Sequence, residues 1–286
     1  QYGEHESLAL AQALNVEAPV DLRVNTLKTD RESARAALAD EQIEAAPTPW
    51  SPLGLRLTRR VPLAATRAFR EGWIEPQDEG SQLLARLLAA QPGERVADFC
   101  AGAGGKTLAL GAGMDNRGEL WALDTGRARL ERLLPRAQRA GLSIIHLQTL
   151  PDAAWCAASA SRFDAVLVDA PCSGTGTWRR NPELRLRPLD LPALAALQLE
   201  ILSTAATLVR PGGRLVYATC SLLTEENEAV VAAWLETAPA FARVSPVSID
   251  PVLAPLTQSG ALVLLPHRHH TDGFFAARFE RAAIAN

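Results

Sequence analysis

From residue 76 onward, short apolar runs alternate with longer stretches whose apolar residues recur at helical spacing. Arg95–Cys100, Glu119–Asp124, Ile144–Gln148, Phe163–Asp169 and Arg214–Cys220 read as strands. Ser81–Ala89, Thr107–Ala112, Gly126–Ala140, Pro192–Val209 and Thr224–Glu236 read as helices. The helix at 192–209 carries Pro in its first turn and Pro-Gly-Gly after its end, which fixes both boundaries. Leu262–Leu265 and Phe274–Phe279 predict a final strand pair. Strands alternating with helices predict an α/β fold, a mostly parallel sheet covered on both faces.

The first part of the chain has a different rhythm. A helix over Ser7–Leu14 leads to a short strand at Leu22 and Val24, then to a helix over Asp30–Glu41 with Ala34, Ala37 and Leu38 on one face. Pro47, Pro49 and Pro52 punctuate the chain before a strand at Leu53–Leu57. Residues 1–75 therefore read as a small α+β module and residues 76–286 as a larger α/β domain. There is no internal repeat and no low-complexity segment.

Composition narrows the picture. The chain has 286 residues, 48% of them apolar and 21% charged, which excludes a disordered or collagen-like chain. Its longest apolar run, Ala193–Val209, is interrupted by Gln198, Glu200 and several Ser and Thr, so no membrane span is expected. Gln1 is not an initiator Met and no signal-peptide pattern follows, as expected of a piece of a longer chain. A net charge of −3 argues mildly against nucleic acid, because phosphate binding favours a basic surface. Among 29 basic residues only Lys28 and Lys106 are lysine, and Lys106 lies inside a glycine-rich turn. Cys100, Cys156, Cys172 and Cys220 show no paired spacing, so reduced thiols in the cytoplasm and no metal site are expected.

The turn is Asp98-Phe-Cys-Ala-Gly-Ala-Gly-Gly-Lys-Thr107, between a strand and a helix. A phosphate-binding P-loop would need Gly where Cys100 stands, and a dinucleotide fingerprint would need Gly where Thr107 stands. The remaining readings are a structural turn and an S-adenosylmethionine loop. In the second, an acid ending the next strand bonds the ribose hydroxyls, and Asp124 sits there. Asp169-Ala-Pro-Cys172 and Tyr217-Ala-Thr-Cys220 end two further strands. In open α/β sheets ligands bind beyond the carboxyl ends of the strands, so Asp124, Asp169, Cys172, Cys220 and the turn converge on one crevice. Thr224, as N-cap of the following helix, would place positive potential near Cys220 and favour its thiolate, whereas Glu225 and Glu226 oppose it. A thiolate beside a methyl donor suggests pyrimidine chemistry. Its addition to carbon 6 makes carbon 5 nucleophilic enough to accept a methyl group, and loss of the C5 proton and the thiolate restores the ring.

These segments resemble the RNA cytosine-C5 methyltransferases, which include the bacterial small-subunit rRNA methyltransferase B group and its nucleolar relatives. Arg23-Val-Asn-Thr-Leu-Lys28, Gln77-Asp-Glu-Gly-Ser-Gln82, Arg180-Asn-Pro-Glu183, Glu225-Glu-Asn-Glu228 and Asp272-Gly-Phe-Phe275 extend the resemblance to nearly the whole chain. It implies a class I S-adenosylmethionine-dependent methyltransferase fold, Rossmann-like with helices on both faces of a mostly parallel sheet, behind the small N-terminal α+β module. It implies Cys220 as nucleophile, Cys172 aiding product release, and Asp169 binding the pyrimidine edge with Lys106 in the catalytic set. Cys100, Ala101, Gly102, Ala103, Gly104, Gly105 and Lys106 would wrap S-adenosyl-L-methionine, Asp124 would take the ribose and Asp152 the adenine side. The family commonly has Ala-Pro where this chain has Gly102-Ala103, and the spacing Gln148–Asp152 also departs from its pattern.

Arg179, Arg180, Arg185 and Arg187 surround one acid, Glu183, with Trp178 alongside, a combination suited to single-stranded RNA. Arg127, Arg129, Arg132, Arg136 and Arg139 read as a solvated helix face. Arg23, Asn25 and Lys28 match the family's RNA-binding segment. The expected partner is RNA, with rRNA favoured over tRNA, and the expected state is a monomer. Two alternatives stand beside this: a DNA cytosine-5 methyltransferase using Cys172, and a non-catalytic RNA-binding assembly factor on the same fold.

Overall fold

The computed structural model describes residues 2–283. The first unit runs α1 (Glu4–Leu14), β1 (Asp21–Val24), α2 (Arg31–Asp40), β2 (Ala45–Pro47), β3 (Gly54–Leu57), α3 (Arg67–Arg70) and β4 (Ile74–Pro76). Its four strands pair antiparallel in the order β2-β3-β1-β4. Helix α2 starts where the Asp30 carboxylate accepts the Ser33 N–H at 2.8 Å, an N-cap that satisfies one orphan donor. It buries Ala34 and Leu38 in a cluster with Leu22, Leu55 and Ile74.

The second unit contains α4 (Glu79–Leu88), β5 (Arg95–Asp98), α5 (Gly105–Gly113), β6 (Glu119–Asp124), α6 (Arg127–Glu131), α7 (Leu133–Ala140), β7 (Ile145–Thr149), α8 (Ala153–Ala158) and β8 (Phe163–Asp169). It continues with α9 (Leu191–Leu208), β9 (Val209–Thr219), α10 (Glu228–Thr237), β10 (Phe241–Val244), β11 (Thr257–Gln258), β12 (Ala261–Leu264), α11 (Pro266–His269) and β13 (Phe274–Arg281). The strand order is β11-β12-β13-β9-β8-β5-β6-β7, with β10 also paired to β13. Strands β5 to β9 are parallel, and β13 runs antiparallel to β9. Alternation along β9 feeds two cores. Leu215 and Tyr217 pack with Leu202, Val230 and Trp234, while Val216 and Ala218 pack with Leu83, Leu87 and Leu264. Strand order reverses at β5, whose neighbours are β6 and β8, and the crevice beyond these strand ends is the switch point.

The predicted basic helix over 126–140 is divided at Arg132 into α6 and α7. Pro135 has no N–H to give the Glu131 carbonyl, so one continuous helix is not available. Nor is its arginine face wholly solvated. Arg136 and Arg139 pair with Glu75 of β4 at 2.8 and 2.6 Å. Between β8 and β9, residues 210–213 bulge out, because Phe163 pairs Val209 and Ala165 pairs Arg214. Thr224 is not the cap of a regular helix, since Thr224–Glu226 is a 3-10 turn and α10 begins at Glu228. Helix α9 has the length and apolar composition to cross a bilayer, the only such helix among the described residues. One side of it packs into the core through Leu202 and Ala205, and it buries Gln198.

Polar contacts join the two units. The buried Asn25 amide donates to Gly72 O at 2.9 Å and Ala140 O at 2.8 Å. Glu79 accepts the N–H groups of Trp50 and Ser51.

Candidate active site

The glycine-rich turn leaves β5 at Asp98 and enters α5 at Gly105, so its N–H groups point to the switch-point crevice. Gly104 has φ +85°, and a Cβ there would stand 2.2 Å from Leu133 Cδ1, so both conformation and space call for glycine. Gly102 has φ +56° and nothing within 4 Å of a Cβ position, which leaves an open cradle. Ala101 N–H donates to Leu123 O at 2.9 Å, and Arg136 donates to Ala103 O, so the turn is anchored from two sides.

Asp124, at the end of β6, is buried. Its carboxylate accepts Gly102 N–H at 2.8 Å and Gly126 N–H at 2.7 Å, and Arg129 folds over it at 2.6 Å. Asp152 caps α8 by accepting Trp155 N–H at 2.8 Å and also accepts from Gln148. Lys106, on the first turn of α5, reaches across to Asp169 at the end of β8, Nζ to Oδ2 2.6 Å. Burial pulls this ammonium down, but the charge and hydrogen bond of Asp169, with Asp98 and Cys220 adding, together outweigh it, so the net shift is upward. Asp98 lies beneath with one oxygen on Thr107 Oγ1 at 2.7 Å and no partner for the other among the described residues. Burial pushes its pKa up to about 7.

Cys172 follows β8 and Cys220 follows β9, and their sulfurs are 3.4 Å apart. Both are free thiols and half-buried. The contact with Cys220 and burial push the Cys172 thiol well up, with Glu226 adding to the effect. Cys220 also faces Lys106 and helps that ammonium hold its proton. Burial pushes the Cys100 thiol far above the usual range. The turn, Lys106, Asp124, Asp169, Cys172 and Cys220 therefore gather at one sheet edge, as the strand-end argument predicts.

The sequence reading gave Glu226 no constructive role. The signal that could have found it is the run Glu225-Glu-Asn-Glu228 in the loop after strand-end Cys220, but four similar polar residues do not say which one turns inward. Glu226 is 0% exposed and its backbone carbonyl accepts Tyr217 OH at 2.6 Å. Asn227 is buried beside it, donating to Ser221 O at 2.9 Å.

The expected RNA-facing residues lie differently from a free basic loop. Arg179 and Arg180 donate to Asp272 at 2.8 and 2.7 Å, and Arg180 also meets Asp78 at 3.2 Å. Counting charges along the loop missed these acids because they come from distant parts of the chain. Arg185 donates to Leu14 O and Asn15 Oδ1, both at 2.7 Å, and its guanidinium lies 5.4 Å from the Trp178 ring. Trp178 Nε1 is buried with no partner among the described residues. Arg23 is 3% exposed and donates to Gln77 at 2.6 Å, Asn25 is the joint described above, and exposed Lys28 donates to Glu71 O at 3.0 Å.

A parallel sheet with its ligand crevice at the switch point and a reversed last strand defines an S-adenosylmethionine-dependent methyltransferase of Rossmann-like fold, preceded by a small α+β module. Within that class the chain belongs to the family described as 16S rRNA methyltransferase RsmB/F, which matches residues 85–280. A ferredoxin-like domain description of the same family matches residues 1–64. The chain is 36% identical over 293 residues to a Synechocystis protein named probable ribosomal RNA small subunit methyltransferase B, covering 98% of this chain and 64% of the relative. Among solved structures, the protein PH0851 superposes with a TM-score of 0.90 at 34% identity, covering 97% of this chain and 63% of that one. A methyltransferase homolog protein from Pyrococcus horikoshii gives a TM-score of 0.82 at 30% identity, covering 96% and 90%. The chain spans between 58% and 64% of the length of the first curated relatives it matches.

Proposed function

We propose that this chain transfers a methyl group to carbon 5 of a cytosine in RNA, in small-subunit rRNA by analogy with its relatives. The observation that carries the reading is the pair of thiols 3.4 Å apart at adjacent strand ends, beside the Lys106–Asp169 ion pair. A methyltransferase acting on an ordinary nitrogen or oxygen nucleophile has no need of two sulfurs there.

S-adenosylmethionine supplies the methyl group when bound. The residues present fit it: the open cradle at Gly102 and the carboxylate of Asp124 suit its polar ends, with Asp152 near the third parallel strand. Arg129 must leave Asp124 for the ribose hydroxyls to reach that carboxylate.

Cys220 adds as thiolate to C6 of the cytosine, which moves an electron pair toward C5. Lys106, cationic and 2.6 Å from Asp169, offsets the charge on both thiolate and carboxylate. Asp169 accepts from the pyrimidine's N–H edge. After methylation water takes the C5 proton, the C5–H electron pair forms the C5–C6 double bond, and the Cys220–C6 bond breaks with its electrons returning to sulfur, which restores the aromatic ring. Cys172, held as a thiol 3.4 Å away, donates a hydrogen bond to the departing Cys220 sulfur and so eases its release as thiolate. The alternative in which Cys172 itself attacks predicts an adduct that depends on Cys172 instead. RNA is proposed to approach over Trp178 and the half-exposed Arg180, with Lys28 at the outer edge of the first unit.

The test substitutes each cysteine. Cys220→Ala should abolish any denaturant-stable protein–RNA adduct, and Cys172→Ala should make the adduct accumulate. The opposite pattern would overturn the assignment.

A further inference from the structure

Glu226 carries no cation on its carboxylate among the described residues, yet it is fully buried. Its charge is met by hydrogen-bond donors instead. Oε1 accepts Ser173 N–H at 2.8 Å and Gln198 Nε2 at 2.9 Å. Oε2 accepts Ser221 Oγ at 2.5 Å and Ser173 Oγ. Ser173 directly follows Cys172, and Ser221 directly follows Cys220. One carboxylate therefore holds the neighbours of both sulfurs. Gln198, the buried polar residue of α9, completes the grip by donating also to Pro171 O at 3.0 Å, on the other side of Cys172.

The geometry points to Glu226 as a positioning residue that sets the spacing of the two cysteine loops and so keeps Cys172 within hydrogen-bond reach of Cys220. This rests on the two-cysteine reading above and goes beyond it by naming what makes the pair. Four donors on one buried carboxylate fix it more firmly than any single contact could, because removing it strands all four. Supporting contacts run between the same loops: Gly176 N–H donates to Cys220 O at 2.9 Å, and Leu222 N–H donates to Thr175 Oγ1 at 2.8 Å. The Cys172 thiol is pushed up chiefly by its contact with Cys220 and by burial, and the Glu226 charge beside it adds to this.

The experiment reads the sulfur spacing directly, on the whole chain. Dibromobimane becomes fluorescent when two nearby thiols displace both its bromides, and peptide mass spectrometry identifies the linked cysteines. The native protein should give a Cys172–Cys220 link. Glu226→Ala should slow that link at least tenfold, with Glu226→Gln intermediate. The Ser173→Ala/Ser221→Ala double variant, which keeps the carboxylate, should follow Glu226→Ala and stands in for it if that variant does not fold. A second readout separates positioning from general damage: Glu226→Gln should move the pH profile of Cys172 alkylation downward. It should also accumulate RNA adduct through Cys220 with cofactor affinity unchanged within twofold. Folded variants that link at the native rate, or a native protein that gives no link, would overturn the proposal. A link that depends on Glu226 in a protein that never captures RNA would uphold the spacing role and remove the methylation reading instead.

Discussion

Lys106 Nζ stands 2.6 Å from Asp169 Oδ2, and both side chains are largely sheltered from water. The pair joins the glycine-rich turn at the start of α5 to the strand end before Cys172. Lys106→Met leaves a sheltered carboxylate without its cation, which should cost about 2 kcal/mol of stability. Loss of kcat should reach about a hundredfold, since the donor acts where charge develops. Because the two groups act as a unit, Lys106→Met/Asp169→Asn should cost much less than the sum of the single changes. Steady-state kinetics and denaturant titration on all three variants check this.

Arg136 binds Glu75 of the first unit and the Ala103 carbonyl of the glycine-rich turn. It thus ties the small module to the turn without standing at the strand ends where the chemistry is placed. Arg136→Ala should weaken S-adenosylmethionine binding by about 1 kcal/mol, about fivefold, by loosening the turn. Calorimetry should show this change with thiol reactivity at Cys220 unaltered.

At Gly104 the left-handed backbone and the 2.2 Å approach to Leu133 act together. Gly104→Ala should destabilise the protein by about 2 kcal/mol from strain and overpacking. Gly102→Ala meets open space and should lose stability only through its backbone conformation, so the two melting temperatures should separate.

Asp98 gives a pH signature. Its carboxyl is raised to about 7 by burial, against 3.8 when free, so the folded state binds its proton more tightly than the unfolded state. Between these values the folded chain holds more protons, and this group's contribution to stability falls as pH rises from about 4 to about 7. Asp98→Asn should remove that decline. Melting temperatures of native and variant protein at pH 5 and pH 8 should diverge in slope, and parallel curves would show that Asp98 does not titrate in this range.

Much of this was readable in advance where periodicity and punctuation are strong. The strand ends at Asp124, Asp169 and Cys220 place the chemistry because a doubly wound sheet sends its carboxyl ends to one side. Elements whose signals are short went unread: β2, β4, β10 and β11 are only two to four residues long and lie at or near sheet edges. The break at Arg132 follows from Pro135 and could have been read from the missing N–H. Other features depend on three-dimensional partners. The loop at 179–187 looks basic in sequence, but Asp78 and Asp272 neutralise two of its arginines from elsewhere. Glu226 looks like its exposed neighbour Glu225 until Ser173, Ser221 and Gln198 close around it.

The central claim is methylation at carbon 5 of cytosine in RNA. The most direct measurement incubates the purified chain with small-subunit rRNA and S-adenosylmethionine carrying a labelled methyl group, digests the RNA to nucleosides, and identifies the labelled product by mass spectrometry. The expected product is 5-methylcytidine, absent with Cys220→Ala. Label in any other nucleoside, or undiminished 5-methylcytidine from Cys220→Ala, would contradict the account.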